Sequence, residues 1–543
     1  MRRSFHSHLT KMLREAHSAC QESAATGMPI DEVTGRRNES ARDPNRREFL
    51  QSAGSVLAAT AAAGLLLPPL ARASTQPRIV IVGGGLAGIR CAHKLWINRG
   101  LASTIHEWDD RVGGRVETLH NFFANGQIAE QHAEFISSEH ASMLGLAKRY
   151  SLALDNAQSA PPNTEGVCWF NGGYYTQKQL NTDWKNFGWS LFQNAVRQAP
   201  FPTLYYRHNK TALHWDNMSV VDWINKYVPG GMNAPLGKLC YQDVISEYGG
   251  PPEHQSALNL IYLLGYDDSS SSGQQPKKYP VLAGTDERYH ITGGNDQIIA
   301  GMVSELPAGT IQFGQQLVAV KLNSNGSYTC TFLSGTTTHE VLCDHVVLAI
   351  PFSTLRKVDL SKANLSALKM TAIDNLQMGN NAKIWLQFNS RVWNADGFDG
   401  SSFADNGAAA TWDTTSYQPG TTGILVDYPG GVQGTGLAAK YGLTADQGPV
   451  PTAMVNDMLG VIEPILPGVT ANYNGLAYFN DGNIDPHCLG AYSQYNVGQY
   501  TGFSGIEPVQ EGNIHFASEQ TSLDFQGFME GAVTSGERVA REI

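Results

Sequence analysis

Gly83-x-Gly85-x-x-Gly88 is followed, 19 residues past its last glycine, by Glu107. These residue types at this spacing can hold a dinucleotide. The glycines would supply a tight turn, close backbone approach to a pyrophosphate and close helix–strand packing, and the acid would accept from ribose hydroxyls. The flanking residues suit those tasks. Ile79-Val80-Ile81-Val82 reads as a buried parallel strand, Ile89, Ala92 and Leu95 share a helix face, and Ser103–His106 is a second strand ending on Glu107. The βαβ unit so predicted aims a helix N-terminus, with its unpaired N–H groups and dipole, at the anion. Arg111-Val112-Gly113-Gly114-Arg115 comes directly afterwards. A plain nicotinamide fold has no reason to place paired glycines and an arginine there.

Two later stretches also carry reactive types. Lys383 stands in Ala382-Lys383-Ile384-Trp385-Leu386-Gln387-Phe388, an apolar strand in which an ammonium is costly unless it is paired. Near the C-terminus, Ile514-His515-Phe516-Ala517-Ser518-Glu519 is a short apolar strand running into an acid, and Gln526-Gly527-Phe528-Met529 opens a helix. A helix N-terminus stabilises negative charge placed on it.

Together, Val80–Gly88, Glu107, Arg111–Thr118, Lys383 and the C-terminal segment resemble the flavin-containing amine oxidase family over about Arg78–Ile543. The resemblance implies an α/β fold, with a discontinuous Rossmann-type FAD-binding domain (74–154, 281–372 and 485–543) and a mixed-sheet and helical substrate domain (155–280 and 373–484). It assigns Gly83, Gly85, Gly88, Glu107, Gly113, Gly114, Arg115, Val318, Glu519, Phe528 and Met529 to FAD. Val318 would meet the adenine through its backbone, and the Met529 amide would approach the flavin ring. Lys383 would hold a water at the flavin, and Tyr492 and Phe528 would form two aromatic walls, so Lys383, Tyr492 and Phe528 are the expected catalytic residues. Ala491 stands where mitochondrial monoamine oxidases carry the flavin-linking cysteine, and Cys488 is out of register, so non-covalent FAD is expected. The chain departs from the family in having His132-Ala133 for a Gly-Gly pair beside the flavin, Ser518 for a glycine, and Gly482 near a usual tryptophan.

Substrate class turns on one loop. Snake-venom-type L-amino-acid oxidases place a carboxylate-binding arginine in the segment matching 132–136; here Glu134-Phe135 stand there, and Glu134, Phe135 and Tyr492 are the expected substrate contacts. A carboxylate in that place repels a carboxylate and attracts an ammonium, which favours primary amines or polyamines with O2 as acceptor. Arg207 or Arg288 would rescue the amino-acid reading. A carotenoid-type desaturase or dehydrogenase and a non-catalytic flavoprotein remain as other readings.

The whole chain sets the outer bounds. Its 543 residues are 42% hydrophobic and 16% charged, with a formal net charge of −11, which suits a globular enzyme and argues against nucleic acid as a partner. Seven cysteines without C-x-x-C spacing argue against a metal site. Cys330 and Cys343 fall on two strand-like runs that could face each other. Asn45-Arg46-Arg47-Glu48-Phe49-Leu50, a mild apolar stretch to Leu70 and Ala71-Arg72-Ala73 read as a cleaved twin-arginine signal over 1–73. A periplasmic or secreted protein, handled by the twin-arginine export machinery, is expected; a dimer is left open. From Ala141 to about Gly265 the pattern is mostly helical, and Asp267–Gln275 reads as a surface loop.

Overall fold

A computed structural model describes residues 76–159, 161–265 and 286–543. The expected signal region, Cys20 and the Asp267–Gln275 loop lie outside the described residues.

The glycine motif sits in a five-stranded parallel sheet. Its order is Ile514–Phe516, His345–Leu348, Ile79–Val82, Thr104–His106, Ile311–Gln312. Successive side chains of a strand point to opposite faces, and the run Ile79–Val82 serves two layers in that way. Ile79 and Ile81 pack under the helices Leu86–Arg99, Asp296–Ser304 and Met529–Glu542. Val80 and Val82 pack with Leu317, Val320, Phe332 and Cys343 of a four-stranded sheet. Two strands of that second sheet, Tyr328–Ser334 and Thr337–Cys343, form the expected hairpin. The Sγ atoms of Cys330 and Cys343 lie 3.9 Å apart on it, and both cysteines are free and buried.

A mixed eight-stranded sheet carries the rest of the site. Four consecutive strands of it are Tyr473–Asp481, Ala382–Phe388, Gly423–Asp427 and Ala410–Asp413, all antiparallel. All seven residues of Ala382–Phe388 are buried, because its two faces pack on two separate apolar clusters. The stretch from Ala141 to Gly265 is mostly helical, as expected, with three short strands in addition. Leu154–Asn156, Glu165–Phe170 and Gly173–Tyr175 are strands, and the last two extend the large sheet. Asn171-Gly172 between aromatic runs is the local hairpin signal; the helices resume at Gln177.

One carboxylate inside the large sheet costs stability. Asp427 is fully buried, and burial pushes its carboxyl up to about 7, against a smaller opposing pull from backbone hydrogen bonds of Ala409 and Tyr428. Between the unfolded value of 3.8 and that folded value, the native state holds a proton that the unfolded chain has released. Stability therefore falls as pH rises through this window. Asp427→Asn is expected to unfold with wild-type behaviour near pH 4 and to gain on the order of 3 kcal/mol at pH 8. Thermal unfolding of both proteins at the two pH values checks this; an equal gap at both would sink it.

Candidate active site

The carboxyl ends of four parallel strands open on one elongated cavity. Gly83, Glu107, Ala349 and Ser518, each just beyond its strand, line it, as expected for a ligand crevice at the strand ends of an open sheet. The three glycines differ in placement. Gly83 turns at φ +99°. Gly85 faces the cavity, where an added Cβ would meet only the Gly113 carbonyl, at 4.0 Å. Gly88 is buried away from the cavity and lets the helix lie against the strand.

Glu107 closes this end of the cavity. Its Oε2 accepts from the Gly84 amide at 2.5 Å and its Oε1 from the Asp109 amide at 2.8 Å. Next to it, His106 stacks on Phe332 with ring centroids 4.2 Å apart, and neither ring nitrogen has a partner. Burial pulls His106 down to about 4, so the ring is neutral. An orphaned buried imidazole beside an open glycine cradle fits the adenosine end of FAD, whose ring and ribose supply hydrogen-bonding groups. Val318 is not among the residues that line the cavity. Gln316 and Leu317 line it, next to a register shift between Leu317 and Ala319 in the pairing of Gln316–Leu322 with Tyr328–Ser334.

Midway along, the N-terminal and C-terminal motifs lock together. Arg115 Nη1 donates to the Ala491 carbonyl (2.6 Å) and to Glu519 Oε1 (3.2 Å). Glu519 also accepts from Ser493 N, Ser493 Oγ and Gly527 N at 3.1, 2.8 and 2.8 Å. That arrangement sets Gly527-Phe528-Met529 at the cavity, with Met529 opening the helix Met529–Glu542. Gly113, Gly114 and Arg111 line the same part, and Arg111 is occupied by Glu117 (2.7 Å) and Asp109 (3.3 Å).

The departures from the family pattern are accommodated. His132 and Ala133 both line the cavity, and His132 Cε1 stands 3.8 Å from where a Cβ on Gly482 would be. The imidazole thus takes room that a large side chain at 482 would claim. Burial holds His132 down at about 3, hence uncharged. Ser518 has φ 174°, extended backbone that needs no glycine.

The far end is aromatic. Phe135, Trp412, Tyr428, Tyr492 and Phe528 line it. Tyr492 Oη donates to the Ser246 carbonyl at 2.6 Å and lies 3.0 Å from Tyr428 Oη; Tyr428 packs edge-on to Trp412. Lys383 reaches this end from its buried strand, donating to Glu134 Oε2 at 2.7 Å and to the Glu130 carbonyl at 3.1 Å. Glu134 is therefore not an open anion awaiting a substrate ammonium; its carboxylate is paired. Glu247 and Glu287 line the cavity as well. Sequence reasoning missed Trp412, Tyr428, Glu247 and Glu287, for which no local motif exists. Arg207 and Arg288 are not on the wall, and Arg288 lies over the Tyr289 ring beside Asp286.

A family model for flavin containing amine oxidoreductases matches residues 86–543. A pseudooxynicotine dehydrogenase of Pseudomonas sp is 24% identical over 524 residues, covering 92% of this chain and 95% of the relative. A putative L-amino-acid oxidase of Bacillus subtilis is 25% identical, covering 87% and 95%. The solved structure of cyclohexylamine oxidase from Brevibacterium oxydans superposes with a TM-score of 0.70 at 16% identity, covering 86% of this chain and 98% of that one.

Proposed function

Since the chain belongs to the flavin containing amine oxidoreductase family, a flavin enzyme acting on amines, we propose that it is an FAD-dependent oxidase of primary amines or polyamines, with O2 as acceptor and H2O2, ammonia and an imine-derived aldehyde as products. The observation that carries the substrate class is the charge at the aromatic end of the cavity. Glu247 and Glu287 line the cavity near Tyr428 and Tyr492, while both arginines of the wall, Arg111 and Arg115, belong to its middle part and are already bonded. A substrate carboxylate would find no guanidinium there among the described residues. A cationic amine finds acids and the faces of Trp412, Tyr428 and Tyr492.

Bound FAD supplies a two-electron acceptor for the substrate's C–H electrons. The remaining work falls to the chain. The aromatic walls exclude water and orient the amine. The Tyr492–Ser246 and Tyr428–Tyr492 hydrogen bonds fix two of those walls. The N-terminus of Met529–Glu542 favours negative charge on a group lying against it. Lys383 offers an N–H donor from the wall. Ala491 beside Arg115, with Cys488 buried nearby, supports non-covalent FAD. The twin-arginine motif supports export and action outside the cytoplasm.

A second reading, an L-amino-acid oxidase, is favoured by the similarity to the putative L-amino-acid oxidase. One experiment separates them. The chain from Ser74 is purified, its flavin released by acid precipitation, and peroxide measured with aromatic monoamines, putrescine, spermidine and L-amino acids. Yellow supernatant and peroxide from amines alone are expected. Peroxide from amino acids alone overturns the substrate class, and flavin that stays with the pellet overturns non-covalent binding. Amine-dependent bleaching without peroxide would make the protein a dehydrogenase, as the Pseudomonas relative is named.

A further inference from the structure

Glu134 is held at both its backbone and its side chain. At the backbone, Asn295 donates its side-chain amide to the carbonyls of Ala133 (3.2 Å) and Glu134 (2.7 Å), and its backbone N–H to Glu130 Oε1 (2.9 Å). Glu130 Oε1 also lies 2.8 Å from buried His290 Nε2. Burial pulls that imidazole down, but its contacts with Asp155 and Glu130 outweigh the pull and hold it up at about 9, so the anchor is an ion pair. At its side chain, Glu134 Oε1 accepts from Thr414 Oγ1 (2.6 Å) and Trp412 Nε1 (3.2 Å), and Oε2 accepts from Lys383 Nζ (2.7 Å). Both side chains of the ion pair are nearly inaccessible, at 6% for Lys383 and 4% for Glu134.

Two features follow. An ammonium has three protons; Lys383 gives one to Glu134 and one to the Glu130 carbonyl, which leaves one for the cavity it lines. A lone buried ammonium here would repel a cationic substrate through a low-dielectric medium, whereas the pair is neutral. Three donors fix Glu134, so it cannot swing away to a substrate ammonium without abandoning all of them. We propose that Glu134 is the positioning residue of Lys383, orienting its free N–H and cancelling its charge so that a cationic amine can occupy the aromatic end. This rests on the amine-oxidase reading for its substrate consequence alone.

The test uses the flavin-loaded protein in four forms: wild type, Glu134→Gln, Lys383→Met and the double variant. The flavin reduction potential is measured with reference dyes, without amine. Glu134→Gln, which leaves a net positive wall, is expected to raise the potential, because reduction adds negative charge to the flavin. Lys383→Met, which leaves a carboxylate, is expected to lower it, and the double variant to return close to wild type. KM for a cationic amine is expected to rise roughly tenfold in Glu134→Gln with a smaller change in kcat. Glu134→Asp keeps the charge and is expected to keep the wild-type potential. Shifts of the same sign in the two single variants, or a double variant no closer to wild type than either, would overturn the proposal. If Glu134→Gln alone does not fold, the double variant must still lie above Lys383→Met. Because the potential needs no substrate, failure to oxidise any amine would refute the amine reading while the pairing is still decided.

Discussion

Lys383→Met is expected to lower amine turnover by about 10²–10³-fold while leaving flavin bound. Methionine nearly matches lysine in length, so the change removes a charge and its donors rather than volume. Among the described residues, the partners of Lys383 are Glu130, Glu134 and the rings of Trp385 and Trp412, and none belongs to the glycine motif or is Glu107, Arg115 or Glu519. The size of the effect is that of losing one preorganised donor in a dry site, about 2.7–4 kcal/mol of barrier. A second effect follows from what remains. Removing one partner of a buried ion pair strands the other, at about 3–5 kcal/mol, so the variant should melt lower, and adding Glu134→Gln should recover much of that loss. Stopped-flow reduction and peroxide release separate the two half-reactions, and thermal unfolding reports the stranded carboxylate. Wild-type turnover in Lys383→Met would remove Lys383 from the chemistry.

Gly88→Val is expected to give protein without flavin, and much of it insoluble. A Cβ at Gly88 would stand 2.1 Å from the Gly83 carbonyl oxygen and 3.2 Å from both Ala349 Cβ and Ile81 Cγ2. The nearest obstacle is backbone, so no side-chain rotation relieves the clash, and the helix Leu86–Arg99 must move off its strand. That movement also carries away the N-terminal amides that face the expected pyrophosphate. Overpacking alone costs about 1–3 kcal/mol where side chains can yield, and here they cannot. Gly145→Ala is the control. It lies within the helix Ala141–Arg149, where an added Cβ meets nothing within 4 Å, and it is expected to retain flavin and gain about 0.5–1 kcal/mol. Absorbance of bound flavin and melting temperature read both variants. A yellow Gly88→Val protein with the wild-type melting temperature would refute the packing argument.

The sequence by itself determined the glycine-rich half of the site. Glycine spacing, a four-residue apolar run and an acid after a second strand are short-range features, and each residue's role there depends on neighbours within a turn or a strand. The same holds for the strand and helix around Glu519 and Met529. Even the departures at His132 and Ser518 were visible as residue types, though not their resolution: an imidazole beside Gly482, and an extended backbone. Tertiary structure decided the rest. Leu317, and not Val318, stands on the cavity wall, next to a register shift in strand pairing, which a one-dimensional pattern does not encode. Trp412 and Tyr428 reach the cavity only because the large sheet sets Ala410–Asp413 beside Gly423–Asp427. Lys383 was recognisable as an ammonium needing a partner, but the partner lies 249 residues away. Local periodicity fixes which face a side chain takes; which distant side chain meets it there is set by sheet order and register, and that is where Glu134 changed from a candidate substrate contact into the lysine's counter-ion.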